Sequence, residues 1–189
     1  MTDQTILEFA DASAWEQWLQ QHNDSAEPVW LKLAKRGASR STVSYAEAVD
    51  VSLCYGWIDS QKARFDESFS LQRFSRRGRR SKWSQINRQK AEALIETGAM
   101  RPAGRREVEA ARADGRWDAA YPGQSAATVP DDFQRALEAN PDAERFFATL
   151  TSANRYAFLF RLHNIKRAET RAKRIADYVE LLSAGKTLH

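Results

Sequence analysis

The chain has 189 residues, 42% of them apolar and 29% charged, with six Trp, nine Phe and a formal net charge of +4. That length suits one compact domain or two small ones, and the apolar and aromatic content excludes an intrinsically disordered chain. A lone cysteine, Cys54, excludes an intramolecular disulfide, and the longest apolar run, YAFLF at 156–160, is far too short to span a bilayer.

Residues 1–15 are acidic and lack the basic and apolar regions of a secretory leader, so a soluble protein of the reducing cytoplasm is expected. Asp11 or Ser13 caps a helix to His22, with Trp15, Trp18 and Leu19 on one face. VWLKLAK at 29–35 alternates as a half-buried strand does. Ser44 and Glu47 have capping-box spacing and open a second helix, with Tyr45, Val49 and Leu53 inward and Gly56 at its end. WIDSQKARF (57–65) and SFSLQRF (68–74), parted by Asp66 and Glu67, read as a hairpin. With the earlier strand they predict a small antiparallel sheet of about three strands.

A helix capped by Ser81 or Ser84 follows, with Ile86, Ala93 and Leu94 as its inner side, and another starts at Pro102 as N1 residue. DAAYPGQSAATV at 118–129 reads as a connector and gives a boundary near residue 120. Beyond it the pattern is helical. Pro130-Asp131-Asp132 and Asn140-Pro141 mark helix starts, Phe146, Phe147 and Leu150 supply apolar side chains, and Ile175, Tyr178, Val179 and Leu182 form the inner stripe of a final helix over 168–183. The fold class predicted is α+β and predominantly α-helical. The sheet belongs to an N-terminal region, 1–120, and a helical C-terminal region covers 121–189, the two expected to pack as one unit.

Charge is unevenly placed. From Arg73 to Arg116 there are 13 basic and 5 acidic residues, and from Arg161 to Arg174 there are 6 and 1. Residues 73–82 alone hold Arg73, Arg76, Arg77, Arg79, Arg80 and Lys82 with no acid. Guanidinium forks match phosphate oxygens at two points, and Ser84 with the N–H groups of the following helix would add donors. Lys166, Arg167, Arg171 and Arg174 make a second candidate, since 167, 171 and 174 share a helix face. The expectation is that the two stretches form one electropositive surface for an anionic partner: a small anion, an acidic protein or a nucleic acid. The opposing reading is a hydrated loop and a solvated helix face, or cations neutralised by neighbouring carboxylates.

Trp57 and Asp59 fall on one sheet face and are pocket candidates. An acid beside an indole suits a general acid or a ligand anchor, and an Asp paired with an Arg is the plainer alternative. Trp83, and Tyr156 with Phe160, offer stacking surfaces, although aromatics at helical spacing are more often core. His22, His163 and His189 are scattered, and no H-x-x-x-H, C-x-x-C, Gly-rich phosphate loop or G-x-S-x-G occurs. No metal, cofactor or catalytic constellation is therefore expected, and Cys54 reads as a small buried hydrophobe.

Several long strings resemble the YdeI/OmpD-associated, or bacteriocin-protection, family of bacterial proteins: GWIDSQ (56–61), RSKWSQIN (80–87), LIETGAMRPAG (94–104), ADGRWDAAY (113–121) and NRYAFLFRLHNIKRAETRAKRI (154–175). Phe74-Ser75-Arg76 departs from the Thr-Pro-Arg of the family pattern, and Ile165-Lys166 from its Ala-Lys. The resemblance implies a link to envelope stress or bacteriocin tolerance and no known reaction. A cytoplasmic binding protein follows as the expectation, with homodimerisation possible. An enzyme acting on a small anion near Asp59 and Trp57 is the alternative.

Overall fold

In the computed structural model, which describes residues 5–24 and 27–188, an N-terminal unit (Met1–Ala120) and a C-terminal unit (Tyr121–His189) each gather a separate apolar core. His189 lies outside the described residues.

The N-terminal unit runs β1 (Ile6–Leu7), α1 (Ala12–His22), β2 (Val29–Ala34), α2 (Tyr45–Cys54), β3 (Trp57–Arg64), β4 (Phe69–Arg76), α3 (Gln85–Glu96) and α4 (Pro102–Ala113). Sheet order is β1-β2-β4-β3. The three expected strands pair antiparallel, and β1 adds a short parallel edge against β2 through Ile6 and Leu7. Two residues carry too little alternation for β1 to be read in advance.

Local chemistry sets the helix starts. Asp11 Oδ1 accepts from the Ala14 N–H at 2.9 Å. In α2, Ser44 Oγ accepts from the Glu47 N–H while the Glu47 carboxylate accepts from the Ser44 N–H at 2.9 Å, which satisfies two of the orphan donors of a helix start. Trp15 is fully buried, and its indole N–H donates to the Ala48 carbonyl of α2 at 3.2 Å. Leu19, Val29, Leu31, Leu53, Trp57 and Phe74 close around it. Each such side chain removed from water contributes about 1.5–3 kcal/mol. Two expected core positions are exposed instead: Tyr45 at 51% and Ile86 at 50%. Ala93 also faces solvent, and the inward side of α3 is Asn87, Ala91, Leu94 and Ile95. The shift arises because Trp83, just before the helix, turns into the core and fixes which face follows it.

Gly104, in the first turn of α4, lies against the end of α2. A Cβ there would sit 2.5 Å from the Cys54 carbonyl oxygen and 2.6 Å from that of Leu53. Backbone cannot give way as a flexible side chain does, so this residue sets the separation of the two helices.

In the C-terminal unit, α5 (Asp131–Glu138), α6 (Pro141–Thr149), α7 (Ser152–His163) and α8 (Ala168–Ser183) pack around Phe133, Leu137, Phe147, Phe158, Leu162, Tyr178 and Leu182. Phe158 meets Tyr178 edge-on, with centroids 5.0 Å apart. Asn140 Oδ1 caps α6 through the Ala143 N–H, with Pro141 in its first turn. No helix among the described residues is long and apolar enough to cross a membrane.

Replacing a helical Gly by Ala ordinarily stabilises by about 1 kcal/mol. For Gly104→Ala the overlap with two carbonyls reverses that sign, and a net loss of about 1–3 kcal/mol is expected in urea unfolding. Gly78→Ala, whose Cβ would meet nothing nearer than Ser81 Oγ at 3.8 Å, is the control and should change stability by less than about 0.5 kcal/mol.

Candidate functional site

The stretch 73–82 begins on β4 and leaves the sheet after Arg76. Arg73 pairs in register with Trp30 of β2, and Arg76 donates to the Asp24 carbonyl at 2.8 Å. Arg77 turns inward. It is 6% exposed, its guanidinium lies 3.6 Å from the centre of the Trp83 ring, and it donates to the Lys82 carbonyl at 3.2 Å. Trp83 in turn packs edge-on against Trp117, 4.9 Å away. The Gly78 N–H donates to Ser81 Oγ and the Ser81 N–H to the Gly78 carbonyl, closing a tight turn. Arg116, held by the Asp114 carboxylate at 2.8 Å, braces that turn by donating to the Ser81 carbonyl at 2.9 Å.

The six cations therefore divide. Arg77 is a strut, and Arg76, Arg79, Arg80 and Lys82 are exposed. Arg79 and Arg80 form no ion pair with any described residue. Ser84 is the N-cap of α3, where its Oγ accepts from the Asn87 N–H at 3.1 Å. Trp83, 2% exposed, is core and cannot stack on a base from solution.

Trp57 and Asp59 are held in different ways. Register places both on the face of Phe74, as alternation predicts. Trp57 is fully buried, with its indole N–H donating to Asn23 Oδ1 at 2.9 Å, and Asp59 accepts from the Tyr45 hydroxyl at 2.8 Å. The expected partner of Asp59 was an arginine; the structure supplies a tyrosine at the start of α2. Cys54 is sealed beneath the end of that helix, and burial pushes its thiol up to about 11, so it is not a nucleophile at neutral pH.

In the C-terminal unit Lys166 and Arg167 are exposed, Arg167 standing at the N-cap position of α8. Arg171 is not a solvated cation. Its Nε and one Nη donate to the two oxygens of Asp132 at 2.5 and 2.9 Å, and the other Nη donates to the Leu162 carbonyl at 2.6 Å. Arg174 lies over the Tyr178 ring at 5.9 Å. The shared face read from spacing 167, 171, 174 is thus broken by a carboxylate 39 residues away in sequence. Hydrogen bonding to Arg171 holds the Asp132 carboxyl below its ordinary range against the opposing effect of burial. Tyr156 donates to the Pro122 carbonyl at 3.0 Å and lines a cavity of about 310 Å³ with Tyr121, Phe160, His163 and Arg171. Burial raises the Tyr156 hydroxyl above its usual range, so it remains a neutral donor. Sequence reasoning named Tyr156 and Phe160 but missed Tyr121 and the cavity. Among the described residues no cluster of His, Cys, Asp and Glu could hold a metal ion.

Two family models match the chain. One, described as a domain of unknown function (DUF8412), covers residues 7–107, more than half of the chain. The other, described as "Bacteriocin-protection, YdeI or OmpD-Associated", covers residues 126–185. The chain belongs to the first family, and its C-terminal part carries a YdeI/OmpD-associated domain. No curated protein and no solved structure matches it. The cationic loop and the Asp59 region fall inside the DUF8412 segment. The YdeI/OmpD-associated segment contains α5 to α8, the Asp132–Arg171 pair and most of the cavity wall.

Within the loop, Arg77→Ala should cost about 2–3 kcal/mol in urea unfolding, since it removes a desolvated cation–ring contact and a charged hydrogen bond together. Arg79→Ala should stay within about 0.5 kcal/mol of wild type. Asp132 gives a pH signature. Its folded pKa is depressed, so its contribution is complete above the unfolded value near 3.8 and disappears as pH falls through the lower folded value. Wild type should therefore lose thermal stability below about pH 4 more steeply than Asp132→Asn, which lacks the titrating group.

Proposed function

We propose that this protein is a non-enzymatic binding protein of the cytoplasm, acting in bacteriocin protection or envelope stress, and that Arg76, Arg79, Arg80 and Lys82 form its contact with an extended anionic partner. The observation that carries this reading is the division of the loop into a buried arginine that fixes it and exposed cations beside it. A fixed loop loses less conformational freedom on binding than a mobile one, so more of each charge–phosphate contact survives as affinity. The role in bacteriocin protection rests on the family description of residues 126–185, and envelope stress on the resemblance of the sequence strings. Asp59 gives the enzymatic alternative no support, because Trp57 is sealed and the carboxylate is held by Tyr45.

A nucleic-acid backbone is the partner that matches several outward cations on one loop with no base-stacking ring exposed among them. With about three phosphates neutralised, affinity for duplex DNA should fall roughly 40-fold between about 50 and 200 mM salt. Fluorescence anisotropy with labelled duplex, single-stranded DNA and RNA measures this. The triple variant Arg79→Ala, Arg80→Ala, Lys82→Ala should keep the wild-type melting temperature and flatten the salt dependence. Absence of binding to all three at the lower salt, with a labelled acidic peptide bound instead, moves the reading to an acidic protein. Absence of both overturns it.

A further inference from the structure

Residues 121–130, whose composition reads as a linker, form a strap along α7. Pro122 accepts from the Tyr156 hydroxyl, and Gln124 donates to Ser152 Oγ at 3.1 Å. Two adjoining hollows lie between strap and helix. The larger, about 310 Å³, includes Tyr121, Phe160 and Arg171 in its wall. The smaller, about 200 Å³, includes Arg155, and the two share Ala127, Tyr156 and Leu159. The larger is at the lower end of the range, roughly 300–1,000 Å³, of pockets that hold small molecules.

The walls specify a chemistry. Tyr121 and Phe160 meet edge-on at 4.9 Å, and Tyr156 tilts against Phe160 at 5.9 Å. Three rings at different inclinations offer both faces and edges to a flat aromatic guest. The titratable groups of the linings are cations or neutral: Arg171, Arg155, His163 and the two tyrosines, with no Asp or Glu in either wall. Arg171 commits three N–H groups to Asp132 and Leu162, out of the five that a guanidinium carries. Asp132 is not in the wall; it orients Arg171 and offsets much of its charge, so what Arg171 offers a guest is hydrogen-bond donors held in place.

We propose that this cavity binds a small planar aromatic carboxylate, with its ring against Tyr121, Tyr156 and Phe160 and its carboxylate at Arg171. The site lies wholly within the C-terminal unit and is independent of the cationic loop, so loss of nucleic-acid binding leaves it standing. Naphthalene-2-carboxylate, titrated into the ¹⁵N-labelled full chain, should give saturable amide shifts within 121–130 and 155–171 at a Kd below about 1 mM. Naphthalene-2-carboxamide, which lacks the charge, should bind at least about tenfold more weakly, the equivalent of one charge-assisted hydrogen bond. Thr128→Trp puts an indole on an exposed wall position and should abolish the shifts at an unchanged melting temperature. Arg171→Lys keeps the charge opposite Asp132, loses the fork, and should remove the advantage of the acid over the amide. No saturable shifts in these segments, equal affinity for acid and amide, or binding indifferent to both variants overturns the proposal.

Discussion

The guanidinium of Arg77 laid on the Trp83 ring is the contact on which the N-terminal unit's surface depends. A loop with six cations and no acid would repel itself if every charge had to face water on a short turn. Burying one of them over an indole, with the Lys82 carbonyl as acceptor, converts part of that repulsion into an anchor. Because Trp83 also rests on Trp117, the anchor reaches from the end of β4 across to the segment after α4. Arg116 then supports the same turn from the other side. Arg79, Arg80 and Lys82 are exposed as a consequence of how the chain between strand and helix is pinned.

The C-terminal unit uses its arginine differently. Arg171 joins α8 to the first turn of α5 through Asp132 and to the end of α7 through Leu162. One side chain so ties three helices together, and the charge that spacing alone assigns to the surface becomes part of the scaffold. The same arrangement leaves the cavity wall with a guanidinium held in place by Asp132, three of its N–H groups committed within the scaffold.

The sequence was most legible where a rule is local. Ser44 with Glu47, Asn140 with Pro141 and the alternation of Val29, Leu31 and Leu33 each announce their element within a few residues, and the α+β, helix-rich class follows from them. It was least legible where the deciding partner is remote. Nothing within ten residues of Arg171 points to Asp132, and nothing in Arg77 distinguishes it from Arg79 except a tryptophan six positions on. Tyr45 and Ile86 were expected inside by periodicity, which gives the spacing of a face but not its rotation about the helix axis. The strap failed for another reason. Pro, Gly and Ser signal the absence of regular structure, and an irregular segment is still able to be a wall when it finds partners on the helix it crosses, as the Pro122 carbonyl and the Gln124 side-chain amide do.

All six tryptophans, Trp15, Trp18, Trp30, Trp57, Trp83 and Trp117, lie before the boundary at residue 120, while the C-terminal core is built from phenylalanine, leucine and tyrosine. Indole emission excited at long wavelength is consequently a spectroscopic view of one unit only, whereas the helical ellipticity of α5 to α8 adds to a signal common to both. Melting curves recorded in the two ways superimpose if the units unfold together and separate if each melts alone, so the distribution of one amino acid has written a cooperativity assay into the polypeptide.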